Sequence, residues 1–391
     1  MNIKILSFSS EIIELRNNQI FSLEIAEKYA GALWVSYLKN RCPFDFEFQT
    51  VDKTLELVRV KKVDPSSVLV FQHNLDKEAA LLIRLGAFPF LLSMYESPLY
   101  CGKFYETINE NLTKFHHVKI FGANLFKSGN LSQAYFPCFS RDKCRSYQQK
   151  EWMALRFASM VIGNKYVLTR PLYSFNNLED WTWWFAKFIR QYFMGPKIPK
   201  KIDIRKTQLQ DMRYELIGEM LRRDLLDLYG RGWDRLFRIP PSTAKKISPF
   251  VKKGGVPIVE NKGEIISAYR FNICFENLSY PGYITEKIFD ALLSKTIPVY
   301  CGAPDISDFI PENIYIDASK FKKISNLIDY LANINVTEAN EIIENGQKFL
   351  RSSKGEKFSY EVIADEIIEL LGQFLRINSP DLFTFKLISK I

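Results

Sequence analysis

Residues 275–287, FENLSYPGYITEK, set Glu276, Asn277, Tyr283, Thr285, Glu286 and Lys287 between two apolar runs. The preceding RFNICFEN (270–277) reads as a strand that ends in polar residues. Pro281-Gly282 then makes a turn, and Thr285 is suited to cap a following helix. In that helix Thr285, Ile288, Phe289 and Leu292 recur at i, i+3, i+4 and i+7, which commits one face to a sheet and leaves Glu286 and Lys287 in the first turn. Unpaired backbone N–H groups, the positive end of a helix dipole and a lysine would then meet at the carboxyl edge of a strand. Anions bind at such edges in open α/β sheets, and phosphate is the expected guest. A carboxylate beside a phosphate is unfavourable unless it accepts hydrogen bonds from hydroxyls, so Glu286 suits a ribose or another sugar. Together these residues suggest a nucleotide sugar. Taken alone, Thr285, Glu286 and Lys287 are equally compatible with an ordinary helix start.

Two rounds of strand and helix surround this stretch. Residues 2–8, 66–72, 88–94 and 117–123 read as buried strands, while 20–38 and 76–86 carry helix-period apolar residues. The pattern restarts with strands at 155–164, 225–230, 270–277 and 296–302 and helical stretches around 208–223 and 285–294. Alternation of this kind predicts parallel α/β sheets, and 391 residues suit two domains with a cleft between them. The expected division is 1–154, 155–354, and a C-terminal helix with a short apolar and basic tail over 355–391. One segment, 178–206, breaks the rhythm with Trp181, Trp183 and Trp184 followed by cations. It is either an insertion capping a core or a surface that meets membrane or glycan.

Composition narrows the chemistry. Apolar residues at 47% and charged residues at 25% are those of a globular protein, and 53 Lys plus Arg against 44 Asp plus Glu gives +9, which favours an anionic partner or simply solubility. Cys42, Cys101, Cys138, Cys144, Cys274 and Cys301 show no zinc spacing and are expected as reduced thiols. With only His73, His116 and His117 available, histidine metal sites and Ser-His-Asp catalysis are poorly served. No nucleic-acid recognition motif accompanies the dispersed cations. The first residues lack a secretory pattern and 81–95 is too short and too charged to span a bilayer, so the expected location is cytoplasmic, with peripheral contact to the inner membrane face left open. Sequons at Asn111, Asn130, Asn277 and Asn335 are then chance matches.

The stretch YRFNICFENLSYPGYITEKIFDALLSKTIPVYCGAPDI (269–306) resembles the donor-binding signature of the α-1,3-fucosyltransferases, glycosyltransferase family 10. Tyr269, Phe271, Phe275, Glu276, Asn277, Tyr283, Thr285, Glu286, Lys287, Pro298, Val299 and Gly302 stand in the family's order. Fainter likenesses lie in DMRYELIGEMLRRDLLDLYGRGWD (211–234) and LLSMYESPLY (91–100). The resemblance implies a GT-B fold, two Rossmann-like domains facing one another, with GDP-fucose as donor and an oligosaccharide or glycolipid as acceptor. By position, Arg213 and Lys287 would hold the pyrophosphate; Asn277, Tyr283 and Glu286 would contact sugar and ribose. Glu96 would be the general base of an inverting transfer. It follows a buried strand and precedes the Ser97-Pro98 turn. Arg270 is a further phosphate candidate. Thr285 completes the helix start, Glu276 fits a hydrogen-bonding role better than catalysis, and Gly230 and Gly232 in YGRGW fit a tight loop better than ligand contact. The sequence has no Asp-x-Asp at a strand end, the closest match being DFE at 45–47, so neither a divalent metal nor a cofactor is expected. Two alternatives stay open: a transferase using another GDP-sugar, and a non-enzymatic protein that binds anions or membrane.

Overall fold

A computed structural model describes residues 2–29, 31–141, 151–163, 208–233 and 261–378, together with Lys245 and Ser248. The aromatic segment 178–206 and the tail beyond 378 lie outside the described residues. The strands are β1 Ile5–Phe8, β2 Glu47–Thr50, β3 Val68–His73, β4 Phe88–Met94, β5 His117–Ile120, β6 Leu131–Gln133, β7 Arg156–Val161, β8 Leu226–Tyr229, β9 Tyr269–Phe275, β10 Ile297–Cys301 and β11 Ile316–Asp317. The helices that matter below are α1 Leu33–Arg41, α2 Val51–Arg59, α3 Lys77–Arg84, α4 Gln210–Arg222, α5 Lys262–Ile266, α6 Glu286–Leu293, α7 Ile324–Asn333, α8 Val336–Leu350 and α9 Tyr360–Asn378.

The chain divides into two compact units, one formed by Met1–Ser97, Phe104–Cys144 and Gly355–Ile391, the other by Pro98–Lys103 and Arg145–Lys354. The first carries a six-stranded sheet in the order β2-β1-β3-β4-β5-β6, the second a five-stranded sheet in the order β11-β10-β9-β7-β8. Among the described residues every strand pairing in both sheets is parallel. In each, the strand order reverses beside the unit's first strand, between β1 and β3 and between β7 and β9. Reversal points of doubly wound sheets open crevices at the carboxyl ends of the strands, where ligands bind.

The expected strands are present in the α/β arrangement. Three short ones, β2, β6 and β11, escape a pattern search because their two to four residues carry little periodicity. Pro89 offers no N–H to β3, and there the register slips, with Val70 facing Pro89 and Phe71 facing Leu91. The helix expected over 20–38 is interrupted. It resolves into a 3₁₀ turn at Gln19–Phe21, a short helix at Leu23–Ala26 and α1, and Gly31 between them has φ +91°, a left-handed conformation incompatible with a continuous helix. The DFE stretch leads into β2, so it sits at a strand's amino end.

Helix α9 belongs to the first unit although it is last in the chain. Its Tyr360, Ile363, Ala364, Ile367, Leu371, Phe374 and Leu375 form one apolar stripe buried among Phe8, Trp34, Leu38 and Phe90. Bidentate Arg41–Asp365 contacts of 2.9 and 2.7 Å and the Lys119–Glu366 pair at 2.5 Å fix its register at the margins. In the second unit α4 and α7 pack on one sheet face through Tyr214, Ile217, Leu221, Leu327 and Leu331. No described helix is long and apolar enough to cross a membrane.

Candidate functional site

Strand β9 carries the chain to the carboxyl edge of the second sheet, where its continuation turns back into α6. Gly282, at φ +65°, makes the reversal possible, and Asp305 Oδ1 holds the turn by accepting a 2.8 Å hydrogen bond from the Gly282 N–H. Helix α6 buries Ile288, Phe289, Ala291 and Leu292 against the sheet, which aims its amino terminus at the edge.

A fully buried carboxylate organises this corner. Glu276, 0% exposed, accepts hydrogen bonds from the Thr285 N–H at 2.8 Å, from the Thr285 hydroxyl at 2.8 and 2.9 Å, and from Lys287 Nζ at 2.8 Å. Lys287 Nζ also donates to Thr285 Oγ1 at 2.7 Å and lies 3.5 Å from Glu286 Oε1. Thr285 holds the position before α6 in extended backbone, but its hydroxyl is drawn to Glu276 and caps nothing, contrary to expectation. Gly302 is dictated by the same corner, since a Cβ there would fall 2.6 Å from Glu276 Cγ and clash with the Tyr300 hydroxyl.

The electrostatics follow from the geometry. Burial alone would lift the Glu286 carboxyl, but Lys287 and Lys262 outweigh it and hold it down at about 2. Burial works against the Lys287 ammonium, yet Glu276 and Glu286 keep its pKa above the usual lysine range. Asp290 moves upward through burial, a shift that Lys262, 3.3 Å away, only partly offsets. Five alternating charges thus line the start of α6. Lys262 escaped the sequence reading because α5 brings it from outside the motif; its only signal was Asn261, whose side chain caps α5 by accepting from the Glu264 N–H.

The remaining expected residues fall in different places. Asn277 follows directly, its Oδ1 accepting from Arg213 at 3.1 Å. Arg213 is 3% exposed and braces the strand end, donating to the Phe275 carbonyl at 2.5 Å and to Gln210 Oε1 at 3.1 Å. Tyr283 is buried and near enough to Lys287 to act on it electrostatically. Gly230 and Gly232 shape the loop after β8 at φ +126° and +85°, and a Cβ on Gly230 would strike the Ile162 carbonyl. Arg270 is not brought to the cluster. It stands at the amino end of β9, about 20 Å of strand from Glu276, donating to the Trp152 carbonyl at 3.0 Å and stacking over that indole.

Glu96 lies in the first unit just beyond β4, where its carbonyl accepts a 3.1 Å hydrogen bond from the Tyr105 hydroxyl. It lines a cavity of about 280 Å³ at the carboxyl ends of β1, β3 and β4, beside the strand-order reversal. Glu11, Gln72, His73 and Asn74 share that cavity and carried no motif that would have singled them out. Among the described residues no group of three or more His, Cys, Asp or Glu side chains could hold a metal ion.

Residues 205–341 match the C-terminal region of glycosyltransferase family 10 (fucosyltransferase). Over 74 residues the chain is 47% identical to the α-(1,3)-fucosyltransferase FucT of Helicobacter pylori, covering 19% of this chain and 15% of that protein. It is 41% identical over 66 residues to an α-(1,4)-fucosyltransferase of Arabidopsis thaliana, 17% of this chain and 16% of the relative. The aligned segments thus span only about a sixth of either relative's length. The fold is similar to a crystal structure of an α1,3-fucosyltransferase with GDP, at a TM-score of 0.51 and 16% identity, covering 96% of this chain and 92% of that one. It is also similar to the Anabaena protein Alr3699/HepE in complex with UDP and glucose, at 0.55 and 10%, covering 95% and 100%. The two Rossmann-like sheets are those of the GT-B class. The match to the fucosyltransferase C-terminal region of glycosyltransferase family 10 thus takes in α4, β8 to β11 and the corner at the start of α6.

Proposed function

We propose that this protein transfers fucose from GDP-fucose to a hydroxyl of a glycan acceptor, with inversion at the sugar carbon. The observation that carries this reading is the corner at the start of α6, where Glu276 fixes Lys287, and Lys287 with Lys262 keeps Glu286 ionised, within the region that matches the fucosyltransferase family. Lys287 retains 15% exposure of its side chain, so its ammonium can meet a diphosphate oxygen while anchored to Glu276. Glu286, ionised, is a hydrogen-bond acceptor only and suits sugar hydroxyls. Arg213 acts from behind: by holding Asn277 and the Phe275 carbonyl it fixes the strand end on which the donor would rest.

In the reaction, Glu96 takes the proton of the acceptor hydroxyl as its oxygen bonds to the anomeric carbon. The bond from that carbon to the diphosphate oxygen breaks, and the electron pair departs with GDP. Lys287 and the amino end of α6 balance the growing charge on the diphosphate without a divalent ion. Removing a general base typically lowers the rate by about 10² to 10⁴. Glu96→Gln should therefore retain GDP affinity while transfer from GDP-fucose collapses, and near-normal turnover in that variant would eliminate the assignment. The donor sugar is tested by offering GDP-mannose and GDP-galactose beside GDP-fucose. Residence in the cytoplasm, with the protein resting on the membrane face where glycolipid acceptors are exposed, fits this reading, and cell fractionation tests it.

A further inference from the structure

The cavity of the first unit has a composition that the proposed transfer does not by itself explain. Phe8, Trp34, Phe71 and Phe136 supply aromatic walls, and the polar lining includes Glu11, Gln72 and Glu96. No Lys or Arg lines it among the described residues, although the chain as a whole carries +9. His73 adds no positive charge near neutrality, because burial pushes its imidazole down to about 4. Aromatic walls with a few placed polar groups are the usual make-up of a small-molecule site.

One atom points to what binds. Gln72 is 6% exposed, and its Oε1 finds no hydrogen-bond partner among the described residues. The amide orientation is fixed, because Nε2 donates to the Asn74 carbonyl at 2.9 Å and the flipped amide would set two oxygens against each other. A buried acceptor left unmatched is costly, so a ligand donor at this point brings a direct gain. Neighbouring acceptors are already engaged: Ser9 Oγ by the His73 N–H at 2.7 Å, and Asn74 Oδ1 by the Tyr95 N–H at 3.1 Å. At about 280 Å³ the space stands at the small end of ligand pockets, which run from about 300 to 1,000 Å³, and this suits one sugar ring.

Building on the transferase reading, we propose that this cavity seats a single uncharged pyranose ring of the acceptor, with one hydroxyl donating to Gln72 Oε1 and with Glu11 at the rim turning away rings that carry a carboxylate. Gln72 and Glu11 are thereby specificity-determining residues. The apolar face of the ring lies on the aromatic walls, and one of its hydroxyls meets the unmatched Gln72 acceptor. A uronic acid would bring a further carboxylate to a site already holding the Glu11 and Glu96 carboxyls, with no Lys or Arg in the lining to receive it.

The test is saturation-transfer NMR on the full chain with GDP present, using the methyl β-glycosides of glucose, galactose and mannose and methyl β-glucuronide as probes. At least one neutral glycoside should bind and the glucuronide should not. Gln72→Leu should weaken the neutral ligand about tenfold, as loss of one hydrogen bond does, with GDP affinity unchanged. Glu11→Gln, at an exposed position where folding is not at risk, should admit the glucuronide. Equal binding of neutral and acidic probes by the natural protein, no binding of any neutral glycoside, or unchanged selectivity in Glu11→Gln would overturn the proposal. Calorimetry with GDP alone reports on the donor reading separately, so a failure of one is not confused with a failure of the other.

Discussion

Replacing Glu276 by Gln keeps shape and removes charge at the centre of the corner before α6. In the natural protein the carboxylate answers the Thr285 N–H, the Thr285 hydroxyl and Lys287 Nζ, all at 2.8 to 2.9 Å. An amide can still accept from Thr285 through its oxygen, but its NH₂ group would then face the Lys287 ammonium. Breaking one side of a buried ion pair typically costs about 3–5 kcal/mol. At about 2–4 °C per kcal/mol for a domain of this size, Tm should fall by about 6–20 °C. Lys287→Met should carry a similar cost by stranding Glu276. The double variant removes both charges and should recover at least about 2 kcal/mol of the summed loss, because a pair replaced as a unit leaves no uncompensated ion. Urea denaturation of the four proteins completes the cycle. Effects that add within about 0.5 kcal/mol would show that the two side chains do not act as a pair, and the account of how Lys287 is held would be refuted.

Arg270→Ala should leave GDP affinity unchanged in calorimetry, because that side chain is bound to Trp152 at the far end of β9; a tenfold loss would place it at the donor. Gly302→Ala should destabilise by about 1–3 kcal/mol through overpacking against Tyr300 and Glu276, read as a lowered denaturation midpoint. Burial pushes His73 and His117 down to about 4, whereas unfolded imidazoles titrate near 6.5. The unfolded chain therefore binds more protons between those values, so stability should fall as pH drops from about 6.5 to about 4, by an amount on the order of 3 kcal/mol for His73; urea midpoints equal at pH 7 and pH 4.5 would contradict this. Transfer activity should survive EDTA, and a complete loss restored by manganese would reject metal independence.

The corner before α6 was legible because it is nearly contiguous. Strand end, Pro281-Gly282 turn and the first turn of α6 lie within thirteen residues of chain, so residue type and spacing already reflect the geometry. Burial was not legible. Arg213 reads as a cation ready for phosphate, and only the packing of α4 against the end of β9 turns its guanidinium toward the Phe275 carbonyl and Asn277. Lys262 reaches the cluster from a separate helix, a tertiary placement that local pattern does not encode. The cavity of the first unit is harder still, since Glu11, Gln72 and Glu96 follow or end three strands that become neighbours only through the sheet order. The break in the helix expected over 20–38 rests on Gly31, whose single left-handed φ outweighs a favourable apolar period around it.

The central claim is tested most directly by a crystal structure of the protein soaked with GDP. The account predicts the diphosphate at the amino end of α6, within hydrogen-bonding distance of Lys287 Nζ, with Glu286 turned to sugar or ribose hydroxyls. GDP bound elsewhere on the chain, or absent from crystals at a concentration that saturates the protein in solution, would contradict it.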